Sequence, residues 1–127
     1  VRLVNGSSPN EGRVEIYHYG TWGTVCDDHW SYPDTQVLCR QLGYETEGAR
    51  ATYRAKYGQG SGRIHLDNVR CTGIEARLDD CSSNGWGIHN CEHNKDVGVI
   101  CSVPNEWDVR LADGPTTNQG RVEIYNN

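Results

Sequence analysis

Six cysteines, at positions 26, 39, 71, 81, 91 and 101, constrain this chain more than any other feature, because little else in it is equipped to hold a fold together. Their irregular spacings of ten residues or more include no CxxC pair, unlike the short paired spacing of structural zinc sites. An even set of this kind reads as a disulfide framework and places the chain in an oxidising compartment, secreted or on the outer face of a cell. The core to be stapled is modest: among 127 residues there is no Phe and no Met, and hydrophobic residues make up 35%. Each bridge typically adds about 2–4 kcal/mol, mainly by restricting the unfolded chain, which matters most in a small, polar domain.

The stretch Gly12 to Asp28 organises the rest. Val14, Ile16 and His18 alternate with Arg13, Glu15 and Tyr17, Tyr19-Gly20 offers a turn, and Trp22, Thr24 and Cys26 alternate again, which predicts a β-hairpin. Its far end carries a cysteine and two adjacent carboxylates, Asp27 and Asp28. Val1–Val4 reads as a strand stopped by Asn5-Gly6, and 63–69 and 97–101 as two more. Ser31 as cap, Pro33 in the first turn and Asp34 facing the free amides predict a helix over 32–42, ending at Gly43. Thr72-Gly73-Ile74-Glu75 reads as a capping box opening a short second helix to about Asp80. Residues 44–62 and 82–96 read as loops. Gly58-Gln59-Gly60-Ser61-Gly62 does not match a phosphate-binding GxGxxG, since Arg63 stands at the last Gly and no helix follows.

A net charge of −5 argues against a general nucleic-acid binder. The charge is unevenly spread: Arg50, Arg54, Lys56 and Arg63 occupy a stretch from Gly48 to Leu66 that holds no acid, while acids gather at Asp27, Asp28 and Asp34 and again at Glu75, Asp79 and Asp80. No apolar run approaches the ~20 residues of a membrane span, and no signal peptide is present, so targeting and anchoring segments are expected elsewhere. Asn5-Gly6-Ser7 is a glycosylation acceptor suited to an extracellular chain. No Ser sits in a GxSxG setting and the cysteines are committed, so catalysis finds no support. The five histidines show no ligand spacing that would make a zinc site, and Trp22, Trp30 and Trp86 read as core and loop anchors.

The sequence then starts again. Val109-Arg110-Leu111-Ala112-Asp113-Gly114 and Gly120-Arg121-Val122-Glu123-Ile124-Tyr125 repeat the strings at 1–6 and 12–17. Residues 1–102 are therefore read as one domain, 103–108 as a linker, and 109–127 as the opening strands of a second repeat in a tandem array. Such strands cannot bury their own apolar face, so they are expected to pair with a neighbour by strand exchange or to pack back on the first domain.

Trp22-Gly23-Thr24-Val25-Cys26-Asp27-Asp28, Val37-Leu38-Cys39-Arg40-Gln41-Leu42-Gly43, Gly58–Gly62, Leu66-Asp67-Asn68-Val69-Arg70-Cys71-Thr72-Gly73 and Val97-Gly98-Val99-Ile100-Cys101 together resemble a scavenger receptor cysteine-rich (SRCR) domain, end to end over 1–102. Non-cysteines near Asn10 and at Tyr44 fill the positions of the additional pair found in eight-cysteine members, so the resemblance is to the six-cysteine, group A-like type. It implies the pairs Cys26–Cys91, Cys39–Cys101 and Cys71–Cys81, one of many pairings that spacing alone allows. Together with the elements above it implies an α+β fold: a small disulfide-stapled domain in which a curved antiparallel sheet of four to six strands cradles one main helix, with a short second helix and long loops.

The resemblance also implies binding rather than catalysis. It points to a calcium site at Asp27 and Asp28, and to a second site at Asp67 and Asn90. The Glu expected of the first site is replaced by Lys95, which either neutralises the two acids by salt bridging or leaves Glu92 or Asp96 to substitute. Gly12 to Trp22 is similar to the bacterial-binding peptide of secreted agglutinins, without its arginine-rich variant, since Glu11 stands where a further Arg would be. Arg50, Arg54, Lys56 and Arg63 are the candidate contacts for sulfate, phosphate or carboxylate groups. The leading expectation is an extracellular module for polyanionic glycans, bacterial surface components or extracellular proteins, with calcium as bridge and repetition supplying avidity. The alternatives are an accessory domain of a secreted lysyl-oxidase-like enzyme or protease, and an adhesion or assembly module forming a homodimer by strand exchange.

Overall fold

The computed structural model describes residues 1–103, so the segment expected to open a second repeat, 109–127, and the expected linker beyond Val103 lie outside the described residues. Within them, strand formation is cleanest where the alternation is. β1 (Arg2–Asn5), β2 (Glu11–His18) and β3 (Thr21–Val25) follow one another antiparallel, with Leu3 opposite Val14 and Tyr17 opposite Trp22. Tyr19 and Gly20, at φ 47° and 78°, form the tight turn between β2 and β3, the doubly positive geometry whose twist matches that of the strands it joins.

Ser31 caps α1 (Tyr32–Gln41), and the Asp34 carboxylate reaches back to accept the Ser31 N–H at 2.8 Å. Leu42 is the C-cap and Gly43 follows it at φ 89°, so the helix stops one residue short of the expected Leu42. Val37, Leu38 and Cys39 give it a fully buried face.

The chain then forms a strand that its sequence does not advertise. β4 (Glu45–Thr52) lies in the segment expected to be loop and pairs antiparallel with β6 (Gly98–Ser102). Only Ala49 of β4 is buried, so no apolar period marks this sheet edge. β5 (Arg63–Leu66) is shorter than the expected 63–69 and runs parallel to β3. The six-stranded sheet, ordered β4-β6-β2-β3-β5 with β1 also on β2, is therefore mixed, not wholly antiparallel. The intervening α1 and β4 supply the long crossover that a parallel pair needs.

The expected second helix over 72–80 is also corrected, to a single 3-10 turn at Leu78–Asp80. Glu75 does accept from the backbone N–H of Thr72 and of Gly73 at 3.0–3.1 Å. No apolar face follows, Ile74 being 88% exposed, and an isolated first turn does not propagate without one.

Val14, Ile16, Val25, Leu38, Leu66, Leu78, Val97 and Val99 make one core, closed by Trp30, whose indole N–H donates to Thr35 at 2.9 Å. Three disulfides staple it: Cys39–Cys101 joins α1 to β6, Cys26–Cys91 joins the end of β3 to the late loop, and Cys71–Cys81 closes a short loop. Asn10 clamps Cys101, its Nδ2 donating to the Cys101 carbonyl at 2.6 Å and its own carbonyl accepting the Cys101 N–H at 2.8 Å.

Candidate functional site

The end of β3 delivers Cys26, Asp27 and Asp28 into a corner held from two sides. The Cys26 N–H donates to Leu66 at 2.9 Å, and the Asp27 N–H donates to Lys95 in the late 3-10 turn at 2.8 Å. Both aspartates are engaged. Asp27, nearly buried, accepts the Arg54 N–H at 2.7 Å, and Asp28 Oδ1 pairs with Lys95 Nζ. That bond, ahead of burial acting in the opposite sense, holds the Lys95 ammonium above its ordinary pKa, with Asp27 and Asp67 adding to the same effect.

Asp67, one residue past β5, is different: it is 1% exposed, and neither carboxylate oxygen has a hydrogen-bond partner among the described residues. One oxygen each of Asp28 and Asp67 lies within 4.8 Å of the other and of both sulfurs of the Cys26–Cys91 bridge. Those sulfurs are oxidised and offer no thiolate. Asn90 is exposed, with Oδ1 3.7 Å from Cys91 Sγ, and Asp28 Oδ2 is 3.6 Å from the same atom. The disulfide is thus the hub that brings Asp28, Asp67 and Asn90 to one place. Hard oxygen donors and a buried carboxylate left unsatisfied are the donor chemistry of a calcium site.

Of the two acids expected as substitutes near Lys95, Asp96 is committed elsewhere. Its buried carboxylate accepts the Gly60 N–H at 2.7 Å and faces His93 Nδ1 at 2.9 Å, while His93 Nε2 faces the Gly62 carbonyl at 2.9 Å. Glu92 is exposed, lines a cleft with Arg63, His89, Cys91 and His93, and is not among the groups that gather with Asp28 and Asp67. The His93–Asp96 anchor of the glycine loop escaped the sequence reading, although its i, i+3 spacing in a late turn is the signal that carries it.

The basic residues are distributed. Arg50 lies on the edge strand β4 and Arg63 begins β5 at the other end of the sheet order, with Arg54 and Lys56 exposed on the loop between. Asn5 is exposed at the end of β1, its Nδ2 donating to Tyr57 at 3.3 Å. In the stretch similar to the agglutinin peptide, Arg13, Val14, Glu15 and Ile16 are all buried, and Tyr17, Tyr19 and Thr21 are exposed.

Comparison with known proteins matches residues 4–102 to the family described as "Scavenger receptor cysteine-rich domain". A protein of Patiria pectinifera, "Scavenger receptor cysteine-rich domain superfamily protein", is 49% identical over 125 residues, 98% of this chain; the chain spans 11% of that relative's length. The crystal structure of the third SRCR domain of murine neurotrypsin superposes with a TM-score of 0.74 at 51% identity, covering 82% of this chain and 96% of that one. The dimeric form of the SRCR domain of mouse MARCO gives a TM-score of 0.67 at 53% identity, covering 80% and 94%.

Proposed function

Because this chain belongs to the scavenger receptor cysteine-rich family, we propose that it is an extracellular, non-catalytic binding module that captures polyanionic ligands, glycans or bacterial surface polymers, through a calcium ion held at Asp28, Asp67 and Asn90. The observation that carries this reading is the Asp67 carboxylate, buried without a hydrogen-bond partner and within 4.8 Å of an Asp28 oxygen. An ionised carboxylate left so is costly, and a cation is the partner that removes the cost. Lys95 already neutralises the Asp28 charge from the position where the resemblance expects the glutamate of a first cation site, which makes the buried Asp67 the carboxylate that most needs a cation. A bound dication with free coordination positions lets an acidic chain hold an anion. The three disulfides suit an oxidising compartment, and among the described residues no helix is long and apolar enough to cross a membrane. The match over 98% of the chain supports a further repeat after 103, and tandem repetition would turn weak single-site affinity into avidity.

Calcium titration by calorimetry on the 127-residue chain, beside Asp67→Asn and Asp27→Ala, tests it. Saturable binding that Asp67→Asn abolishes and Asp27→Ala leaves within a few-fold is the expected result; no heat of calcium binding, or binding indifferent to Asp67→Asn, overturns it. A second reading, an assembly module, is supported by 53% identity to a domain whose structure is a dimeric form. It predicts a mass in solution that rises with concentration.

A further inference from the structure

At the far end of the hairpin from the acidic corner, four rings gather that the calcium reading does not use. His18 is sandwiched: its ring lies 3.6 Å from that of Trp86 at 5° between planes, and 4.3 Å from that of Tyr19 at 25°. His65 stands edge-on to both His18 and Trp86 at 5.7 and 5.8 Å. The arrangement is built into the backbone. Gly23 faces the His65 ring so closely that a Cβ there would sit 2.3 Å from it, and His65 Nε2 lies 3.0 Å from the Thr21 carbonyl. The Gly87 N–H donates to the His65 carbonyl at 2.9 Å, drawing the Trp86 segment against β5.

The rings and Arg63 border a cleft of about 350 Å³ whose lining contains no acid. Tyr19 is 93% exposed although one face rests on His18, so its other face is open, and Trp86 is 37% exposed. Arg63 forms no salt bridge among the described residues. A neighbouring cleft shares Arg63 and is lined by Glu92, His89 and His93, so the carboxylate in reach of this region borders that cleft and none borders the aromatic one.

We propose that this cleft is a calcium-independent subsite for an acidic pyranose, a hexuronate or a sulfated hexose. Aromatic faces complement the flat apolar C–H face of a sugar ring by dispersion and desolvation, and a free guanidinium pairs with carboxylate or sulfate in bidentate fashion. A volume near the lower end of ligand pockets, about 300–1,000 Å³, fits one or two sugar units. The subsite rests on the reading of the domain as a binder of anionic glycans, but it uses none of the calcium ligands, so the two fail separately.

The test titrates a chondroitin sulfate tetrasaccharide, with neutral maltotetraose as comparator, into the full chain in EDTA, following tryptophan fluorescence and calorimetric heat. Tyr19→Asn, a residue tolerant of the positive φ there, and Arg63→Gln report on the cleft without touching the core. Saturable binding of the sulfated probe, at least tenfold tighter than of maltotetraose and weakened about tenfold by each variant with calcium affinity and thermal midpoint retained, is the expected result. Absence of binding in EDTA, or binding unchanged in both variants, overturns the subsite. Binding that needs calcium and is lost in Asp67→Asn overturns it too, while leaving the calcium reading in place. Equal affinity for the neutral probe removes the role of Arg63 and with it the acidic-sugar assignment.

Discussion

Lys95 Nζ is paired with Asp28 Oδ1, across the 67 residues that separate them in sequence, next to a buried Asp67 that is paired with nothing among the described residues. A side-chain cation on a flexible stem thus stands beside the place proposed for a metal, and it tunes how much charge a metal must supply. Lys95→Glu removes one positive charge and adds a negative one beside Asp28 and Asp67. It is expected to raise calcium affinity tenfold or more, a factor worth about 1.4 kcal/mol, and to make thermal stability more strongly calcium-dependent than that of the parent chain. Lys95→Ala should fall between the two chains. Calorimetry and melting curves with calcium and with EDTA measure this; equal affinities in all three proteins would mean that Lys95 lies outside the field of the site.

His93 predicts a pH dependence. Both ring nitrogens face acceptors, the Asp96 carboxylate and the Gly62 carbonyl, with Thr24 Oγ1 3.3 Å away and Arg13 the nearby opposing charge. Burial alone would lower the His93 pKa, but the bond to Gly62 and then the bond and charge of Asp96 outweigh it, and the net displacement is upward. A raised folded-state pKa means that the contribution is complete below the ordinary histidine value of about 6.5 and fades as pH rises through the higher folded value. The thermal midpoint is therefore expected to fall by roughly 2–6 °C between pH 5.5 and 8.5 from this group. His93→Gln should remove that increment, and a variant with the same pH profile as the parent would show that the imidazolium is not what fastens the glycine loop.

How much of this could be read beforehand follows from how local each signal is. The hairpin and α1 are written in adjacent residues: alternation around a Tyr19-Gly20 turn, and Ser31 with Asp34 at the helix start. β4 is an edge strand made of Glu, Thr, Gly, Ala and Arg, held by ladder bonds to β6, and ladder bonds leave no mark on side-chain pattern. The parallel register of β3 on β5 is equally silent, because it is decided by a crossover some forty residues long. Thr72–Glu75 shows the reverse failure, a local cap that forms as expected and opens no α-helix. Asp27, Asp28, Asp67 and Asn90 were all visible as candidates; which of them remain unsatisfied depends on Arg54, Lys95 and the Cys26–Cys91 bridge meeting them from distant segments. The ring stack at His18 was hidden for the same reason, since Trp86 joins it from a loop without any period.

Asp34 shows a carboxylate used for architecture. It is fully buried, accepts the Ser31 N–H through Oδ2 and the Cys71 N–H through Oδ1 at 2.7 Å, and so ties the start of α1 to the loop closed by Cys71–Cys81. Burial, opposed by those hydrogen bonds, raises its pKa. Asp34→Ala leaves two partly buried donors without their acceptor and removes the returning half of the capping box, and should cost about 1–3 kcal/mol in urea unfolding. Asp34→Asn keeps the shape but turns an amide N–H₂ toward one of the donors, so it should recover less than half of that loss. A cost below about 0.5 kcal/mol for Asp34→Ala would mean that the two donors find other partners.

Glu15 bears on the resemblance to a bacterial-binding peptide. It is 6% exposed and accepts from two arginines: Arg2 on β1 at 2.6 and 2.9 Å, and Arg13 beside it on β2 at 2.9 Å. Arg13, itself buried, also donates to Gly58 at 3.1 Å, and the Arg2 guanidinium lies 4.1 Å over the Trp22 ring. In the folded domain these residues are a strut from the hairpin to the glycine loop and present little to a ligand. Glu15→Ala leaves the buried Arg13 without its counter-charge and should cost about 3–5 kcal/mol. Arg2→Ala, removing a side chain 46% exposed, should cost about 1 kcal/mol or less from its pair and ring contact. Urea unfolding of both, beside bacterial binding measured on the folded chain and on a synthetic 12–22 peptide, separates strut from ligand contact. If Glu15→Ala abolished bacterial binding with its unfolding midpoint unchanged, the buried strand would have to be exposed in the binding state and the strut assignment would be wrong.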